Sequence, residues 1–270
     1  MLIRVTASTI LLAALSASAR PLNDSTLATV YDKCVVNNTI ALTFDDGPWI
    51  YMNEISDLFT DHQAKATFFI STDALSPLSP LSTENNDMHF ADGDNYDCIY
   101  DDKVVQRLRY TYKAGHQICS HTWSHPDLNT LDAAQIEEEI TKQDLALMKV
   151  LSMKTRFLRP PYGNYNDLVR QVAKNLDKDL VTWDFDSGDS VGKSWQQSEK
   201  LYTTKINKHP QTLLPLNHET QVNTSRILVP WMIRNFQAAG YELVTLAECL
   251  GLDPYVSTGP FSPRDNTWDC

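Results

Sequence analysis

Short apolar runs alternate with helical patterns along most of this sequence, and that alternation limits the fold more than any other feature. Seven runs have the length and apolar character of buried strands: 39–44, 66–70, 117–120, 157–158, 180–183, 213–216 and 243–245. A strand that is followed by a helix and then by another strand implies parallel pairing. The sequence therefore predicts an α/β fold, a single domain whose parallel sheet can close into a barrel at this chain length.

One of the helical patterns is long enough to define a helix by itself. Its apolar residues recur at helical spacing after Thr130, a candidate N-cap: Ala133, Ile136, Ile140, Leu147 and Leu151. The segment 76–101 has neither pattern and is rich in Ser, Pro, Asn and Asp. We interpret it as a loop inserted in the domain, which helps to shape the substrate subsites.

The first nineteen residues have the pattern of a secretory signal peptide. An early arginine, Arg4, precedes an apolar stretch, and small residues end at Ala19, after which cleavage is expected. A membrane anchor is the alternative, but the stretch is too short and too rich in Ser and Thr. We expect a signal peptide at 1–19, an N-terminal segment at 20–38, the catalytic domain at 39–250 and a C-terminal tail at 251–270. The protein is then secreted, to the medium or the cell wall.

Export would place the five cysteines in an oxidising compartment. Cys34 precedes the first strand and Cys249 follows the last, so a disulfide between them would join the two ends of the domain. A bridge between Cys98 and Cys270 is weakly supported, and Cys119, within an apolar run, is expected to be a free buried thiol.

Export also makes three acceptor sequences candidates for N-glycosylation, at Asn23, Asn37 and Asn223. The formal net charge of −11 argues against nucleic acid or an anionic membrane as a partner, because both require a cationic surface. We expect a monomer that acts on a neutral polymer.

Polar residues occur where the predicted strands end. Successive runs end at or near these residues: Asp45 and Asp46, His121, Arg159, Asp184 and Asp186, and His218. Sites in α/β proteins form at the carboxyl ends of strands, so residues that are distant in sequence should converge there.

Two of these groups suggest a metal site. His121 and His125 are four residues apart and can face one divalent ion, although this spacing alone is often incidental. Asp45 and Asp46 end a buried strand, where adjacent carboxylates are costly unless paired or bound to metal; a simple turn is the alternative reading. Because neighbouring strand residues point to opposite faces, one carboxylate could bind metal while the other accepts a proton.

Five segments in order make the resemblance specific: TFDDGP at 43–48, SHTWSHP at 120–126, RPPYG at 159–163, WDFD at 183–186 and LNH at 216–218. They resemble the five motifs of carbohydrate esterase family 4, the polysaccharide deacetylases with a NodB-homology domain. The segments around 96–100 and 164–166 are most similar to fungal chitin deacetylases. The resemblance covers about 39–250 and implies a distorted (β/α) barrel of about seven parallel strands.

The resemblance also implies roles for individual residues. Asp46, His121 and His125 would bind Zn²⁺, or Co²⁺ or another divalent metal. Asp45 would be the general base, held by Arg159, and His218 the general acid, oriented by Asp186. The backbone N–H of Tyr162 would help to stabilise the oxyanion.

Four side chains are expected to contact the sugar: Trp123, Tyr162, Trp183 and Leu216. The sequence departs from the family pattern at Ser190, where many relatives have Trp, and at Glu219, where Asp is common. An aromatic wall of the pocket is therefore absent or supplied from elsewhere.

These features predict a secreted, zinc-dependent deacetylase that removes acetyl groups from the N-acetylglucosamine units of chitin or chito-oligosaccharides. Acetyl xylan and peptidoglycan are alternative substrates, because zinc, water and an oxyanion site serve esters and amides alike. A non-catalytic chitin-binding protein is the alternative of another class, and loss of the motif residues would be its signature.

Overall fold

The computed structural model describes residues 27–71 and 98–270. The predicted signal peptide, Asn23 and most of the predicted 76–101 loop lie outside the described residues.

The described strands are short. They are β1 (Val30–Tyr31), β2 (Thr39–Ile40), β3 (Thr43–Gly47), β4 (Thr67–Ile70), β5 (Gln117–Ser120), β6 (Met153–Thr155), β7 (Phe157–Leu158), β8 (Asp179–Val181), β9 (Phe185–Asp186), β10 (Thr212–Leu213), β11 (Pro215–His218), β12 (Glu242–Leu243) and β13 (Tyr255–Thr258).

The helices lie between them. They are α1 (Met52–Asp61), α2 (Asp102–Lys113), α3 (Ala133–Leu151), α4 (Asp167–Asn175), α5 (Trp195–Lys208), α6 (Val229–Ala238) and α7 (Leu246–Leu250). Short 3-10 turns occur at Leu128–Thr130 and Pro161–Gly163, and a π-helical turn at Thr224–Leu228 precedes α6.

Eight strands form one curled parallel sheet in the order β1-β8-β7-β5-β4-β3-β11-β9. The predicted distorted (β/α) barrel is confirmed as this half-barrel, in a single domain. Two edge strands, β1 and β9, were not predicted, and the predicted run at 243–245 contributes β12 to a small second sheet with β2 and β10. Within the described chain, β1 and β9 do not pair, so the sheet remains open between them.

Alternation along the strands separates two hydrophobic clusters. In β4, Phe68 faces the cluster beneath the outer helices, whereas Phe69 faces a second cluster that is closed by Leu246 and Leu250 of α7. Neighbouring helices contact one another around the outside in the order α4-α3-α2-α1-α6-α5. Because both faces are covered, the central strands β4 and β5 are buried along their whole length and their carboxyl ends form a fixed edge.

The helix predicted from 3.6-residue spacing is α3, but its N-cap is Asp132 rather than Thr130. The Asp132 side chain accepts a hydrogen bond from the backbone N–H of Gln135, and the side-chain oxygen of Gln135 accepts one from the backbone N–H of Asp132. This capping box satisfies two backbone N–H groups at the start of the helix, whereas Thr130 ends the preceding 3-10 turn.

Two disulfides join the ends of the domain to its body. Cys34 is bonded to Cys249 and Cys98 to Cys270, while Cys119 is a free thiol buried in β5. The sequence predicts only a tail after Leu250, but the structure pairs β13 with β6 and buries Trp268 against the core. The C-terminal segment therefore packs on the domain.

Asn37 and Asn223 are both exposed, so their glycosylation stays a prediction. Among the described helices, none is both long enough and apolar enough to cross a bilayer.

The pairing predicts the result of a thiol titration. Without reductant, native protein should react with no equivalent of a thiol reagent, because Cys119 is buried. Denatured protein should show one thiol per chain, and reduced denatured protein five. Three thiols in the unreduced, denatured chain would contradict one of the two bridges.

Candidate active site

The predicted site residues meet at the carboxyl edge of the sheet. Asp45 and Asp46 lie in β3, His121 directly follows β5, Arg159 follows β7 and His218 ends β11. These strands are neighbours or next neighbours in the sheet, so residues up to 173 positions apart, from Asp45 to His218, share one edge.

Strand alternation predicted that the side chains of Asp45 and Asp46 face opposite sides of the sheet. In the structure both face the same side. Asp46 has φ 66°, and the β3–β4 register shifts between Phe44 and Gly47. This bulge redirects the second carboxylate, so that Asp45 Oδ2 and Asp46 Oδ1 lie 3.7 Å and 3.5 Å from Nε2 of His121. Both carboxylates therefore serve the same site.

The turn after Asp46 is held by a buried glutamate. Oε1 of Glu219 accepts a hydrogen bond of 3.1 Å from the backbone N–H of Trp49. A Cβ built on Gly47 would overlap that same carboxylate oxygen, so glycine is required here for space. Burial raises the pKa of Glu219 to about 8, against the opposing effects of the Trp49 N–H and Arg107.

The two histidines are arranged as ligands. Nδ1 of His121 lies 2.7 Å from the backbone oxygen of Arg159, which assigns the proton to Nδ1 and leaves the Nε2 lone pair facing Asp46. Burial and the neighbouring His121 lower the pKa of His125 to about 4, so that its imidazole is neutral. Although burial disfavours its charge, the three surrounding histidines hold the pKa of Asp46 below its usual range.

Their separations fit a metal ion. The two Nε2 atoms are 3.1 Å apart, and they lie 3.5 Å (His121) and 3.4 Å (His125) from Asp46 Oδ1. Ligands about 2.0–2.1 Å from a tetrahedral zinc lie about 3.3–3.4 Å from one another. Asp46 Oδ1 is buried and accepts no hydrogen bond from the described residues, as expected of an oxygen reserved for a cation. The predicted set of Asp46, His121 and His125 therefore fits a zinc ion.

Arg159 holds Asp45 as predicted. Its fully buried guanidinium donates one hydrogen bond of 2.6 Å to Asp45 Oδ1 and another of 2.8 Å to the hydroxyl of Thr43. The guanidinium also lies 4.0 Å above the centre of the Phe69 ring. The buried ion pair is compensated by these contacts, which fix the carboxylate beside the metal ligands.

The predicted partner of His218 is wrong. Nδ1 of His218 is 2.8 Å from Oδ1 of Asp189, whose other oxygen accepts from the His218 backbone N–H and the Thr224 hydroxyl. Asp186 instead accepts from the backbone N–H of Gly188 and is exposed. The loop after β9 turns back at Gly188 and brings the later aspartate to the histidine.

Asp189 also sets the charge of His218. Burial disfavours the imidazolium, but the charge and hydrogen bond of Asp189, with Asp46 and Asp45 nearby, raise the pKa of His218 to about 10. The Nε2 atom of His218 faces the site, 3.9 Å from Asp46 Oδ2.

A cavity of about 430 Å³ opens over these groups. It is lined by Asp45, all three predicted metal ligands and His218, together with the predicted sugar contacts Tyr162, Trp183 and Leu216. Ser190 also lines the cavity. The Trp183 ring packs so closely on Gly163 that a Cβ there would lie 2.8 Å from it.

Trp123 is not one of the residues that line the cavity. It packs against the hydrophobic core, and Lys142 lies 5.8 Å over its ring. Tyr162 is 51% exposed, has φ 60° and places its ring 4.9 Å from that of His125. The proposed oxyanion role of its backbone N–H stays a prediction.

Glu139, whose carboxylate contacts the loop between His121 and His125, was not identified from the sequence. Glu139 of α3 accepts hydrogen bonds from the backbone N–H groups of Trp123 and Ser124 and from the Ser124 hydroxyl. No motif marks Glu139, because its contacts depend on how α3 packs against the loop. Asp189 lies in the same segment as Asp186, DSGD at 186–189, and nothing in the sequence distinguishes the two carboxylates.

A family model described as polysaccharide deacetylase matches residues 32–181, more than half of the chain. The chain belongs to the polysaccharide deacetylase family. It is therefore a hydrolase, and deacetylases of this family use a divalent metal, in agreement with the Asp46, His121 and His125 cluster.

Relatives in this family include fungal enzymes. The chain is 32% identical over 232 residues to a chitin deacetylase of Pestalotiopsis sp., covering 83% of this chain and 68% of that protein. It is 30% identical over 229 residues to a chitin deacetylase of Arthroderma benhamiae, covering 84% of this chain but only 55% of that protein.

Among solved structures, the chitin deacetylase from the fungal pathogen Colletotrichum lindemuthianum has a TM-score of 0.70 at 24% identity. The match covers 84% of this chain and 94% of that one, and it shows that this polysaccharide deacetylase has the same fold.

The contact between Gly47 and Glu219 gives a prediction for stability. Gly47→Ala should lower the free energy of unfolding by about 1–3 kcal/mol, because the new methyl group overlaps a buried carboxylate. Gly259→Ala is the matched control, since the nearest atom to its new Cβ would be 3.8 Å away. Both variants gain the same rigidity in the unfolded chain, so equal urea midpoints would contradict the close approach.

Proposed function

We propose that this protein is a secreted, zinc-dependent deacetylase that hydrolyses the N-acetyl groups of N-acetylglucosamine units in chitin or chito-oligosaccharides, with release of acetate. The observation that carries the proposal is the set of two imidazoles and one carboxylate at mutual distances of 3.1–3.5 Å, beside a second carboxylate fixed by a buried arginine. Two imidazoles and one carboxylate are a ligand set of catalytic zinc sites.

Asp46, His121 and His125 would hold the metal, which when bound would act as a Lewis acid on the acetamide carbonyl and lower the pKa of water at the site. Asp45 would accept the proton of the attacking water at Oδ2, the oxygen opposite the one that Arg159 binds. The arginine thereby prevents the carboxylate from rotating and keeps its free oxygen toward the cavity.

His218 would donate a proton to the nitrogen of the departing amine. An amine is a poor leaving group unless it is protonated, so an amide requires an acid near the nitrogen. Asp189 binds Nδ1 and so leaves the Nε2 proton to face the cavity. The backbone N–H of Tyr162 is the proposed further donor to the oxyanion.

Charge favours a neutral glycan. Of the described residues that line the cavity, none is a lysine or an arginine, whereas Asp45, Asp46 and Asp186 all line it. The net charge of −11 would repel an anionic polymer. The relatives that are named chitin deacetylases support the same choice.

Secretion is supported by chemistry on the described chain. Two disulfides persist only where the compartment is oxidising, as outside the cell. The leader-like segment at 1–19 supplies the corresponding export signal.

The central experiment measures acetate and free amine released from chitohexaose. Purified protein should lose activity on chelation and regain it with zinc. Asp45→Asn should lower kcat by roughly 100- to 10,000-fold while zinc binding persists, because only the proton acceptor is changed. Cleavage of acetyl xylan or peptidoglycan in place of chitohexaose would reassign the substrate. Absence of turnover on all three would favour a binding protein.

A second pair of variants tests the partner of His218. Asp189→Asn should lower kcat by on the order of 100-fold, because the amide cannot hold the imidazole in its charged, oriented state. Asp186→Asn, the matched change in the same loop, should leave kcat within a few-fold of the unmodified protein. A greater loss of kcat from Asp186→Asn than from Asp189→Asn would contradict the proposal that the 2.8 Å contact between Asp189 and His218 orients the histidine.

A further inference from the structure

The loop between the two histidine ligands is bound by a carboxylate from a neighbouring helix. Oε2 of Glu139 accepts hydrogen bonds from the backbone N–H groups of Trp123, at 3.0 Å, and Ser124, at 2.8 Å. Oε1 accepts a third from the Ser124 hydroxyl, at 2.6 Å. One side chain thus contacts two consecutive residues of the three that separate His121 from His125.

This loop has an unfavourable backbone. Thr122 has φ 72° and His125 has φ 57°, and neither is a glycine. A β-branched residue such as Thr122 rarely adopts this left-handed conformation. Such a conformation persists only when the surroundings fix it, and consecutive backbone N–H groups pointing at one oxygen form a site for an anion.

The helix that carries Glu139 is well placed to fix the loop. Helix α3 begins with a capping box and is nineteen residues long. One turn after Glu139, the buried Gln143 donates 2.9 Å to the backbone oxygen of Ile70, at the end of β4. The same face of α3 therefore contacts both the strand ends and the histidine loop.

We propose that Glu139 is a positioning residue that holds His121 and His125 in metal-binding geometry without being a ligand. This inference rests on the metal site of the proposed function. The oxygens of Glu139 are engaged by three donors of the loop, and it does not belong to the described ligand cluster of Asp46, His121 and His125.

The test is the affinity of the metal-free protein for zinc, measured by calorimetric titration. Glu139→Ala should weaken zinc binding by roughly 10- to 100-fold, the usual effect of removing a group that orients a metal ligand. Glu137→Ala is the matched control, since this exposed glutamate lies two residues away, on another face of the same helix. It should bind zinc as the unmodified protein does.

Two further variants separate position from charge. Glu139→Gln keeps the length of the side chain and an acceptor oxygen for the two N–H groups, so its zinc affinity should stay within a few-fold. Glu139→Asp keeps the charge but is shorter by one methylene, so it should bind more weakly than Glu139→Gln. The reverse order would overturn the proposal in favour of a simple charge effect. If circular dichroism shows that Glu139→Ala does not fold, the comparison of Glu139→Gln with Glu139→Asp still tests the proposal.

The visible absorption of bound Co²⁺ provides an independent readout of ligand geometry. We expect an altered spectrum for Glu139→Asp and an unaltered one for Glu139→Gln at saturating metal. Equal zinc affinity and identical spectra for Glu139→Ala, Glu139→Asp and the unmodified protein would overturn the inference alone. If His121→Ala left zinc affinity unchanged in the parent protein, the proposed metal site itself would fail.

Discussion

The proposed base and one of the proposed metal ligands are both held by Arg159, through its buried guanidinium and its backbone. Its side chain joins the end of β7 to β3 through Asp45 and Thr43, and donates 3.1 Å to the backbone oxygen of Thr182 beyond β8. Its own carbonyl accepts the Nδ1 proton of His121. One residue therefore fixes the proposed base, one metal ligand and the spacing of three strand ends. A buried arginine is tolerated because its charge is paired and its donors reach several acceptors.

Around this residue, the sheet determines where the site residues lie, and strained backbone conformations next to the strands determine where their side chains point. Parallel strands bring distant residues to one edge, but regular strands would turn Asp45 and Asp46 apart. Left-handed residues correct the direction of the side chains at Asp46, Thr122, His125 and Tyr162, all at or next to the site. Two glutamates outside the proposed catalytic set, Glu139 and Glu219, accept backbone N–H groups of the two ligand-bearing segments. Strain of this kind concentrates at functional sites because the surrounding contacts hold it in place.

The sequence was sufficient for features that depend on local pattern. Alternating apolar runs predicted the parallel sheet, and the positions of Cys34 and Cys249 at its two ends predicted their bridge. Features that depend on loop geometry were not predictable. Asp186 and Asp189 are equally polar and three residues apart, and only the turn at Gly188 determines which one meets His218. Trp123 lies between two proposed ligands in sequence, yet its partly buried ring packs against the core and does not line the cavity.

The central claim is that Asp46, His121 and His125 hold a catalytic zinc ion beside Asp45. Anomalous diffraction at the zinc edge, from crystals grown with stoichiometric zinc, tests this most directly. We expect one dominant peak about 2.0–2.2 Å from a carboxylate oxygen of Asp46 and from one imidazole nitrogen each of His121 and His125. A dominant peak at other residues, with none among these three, would contradict it.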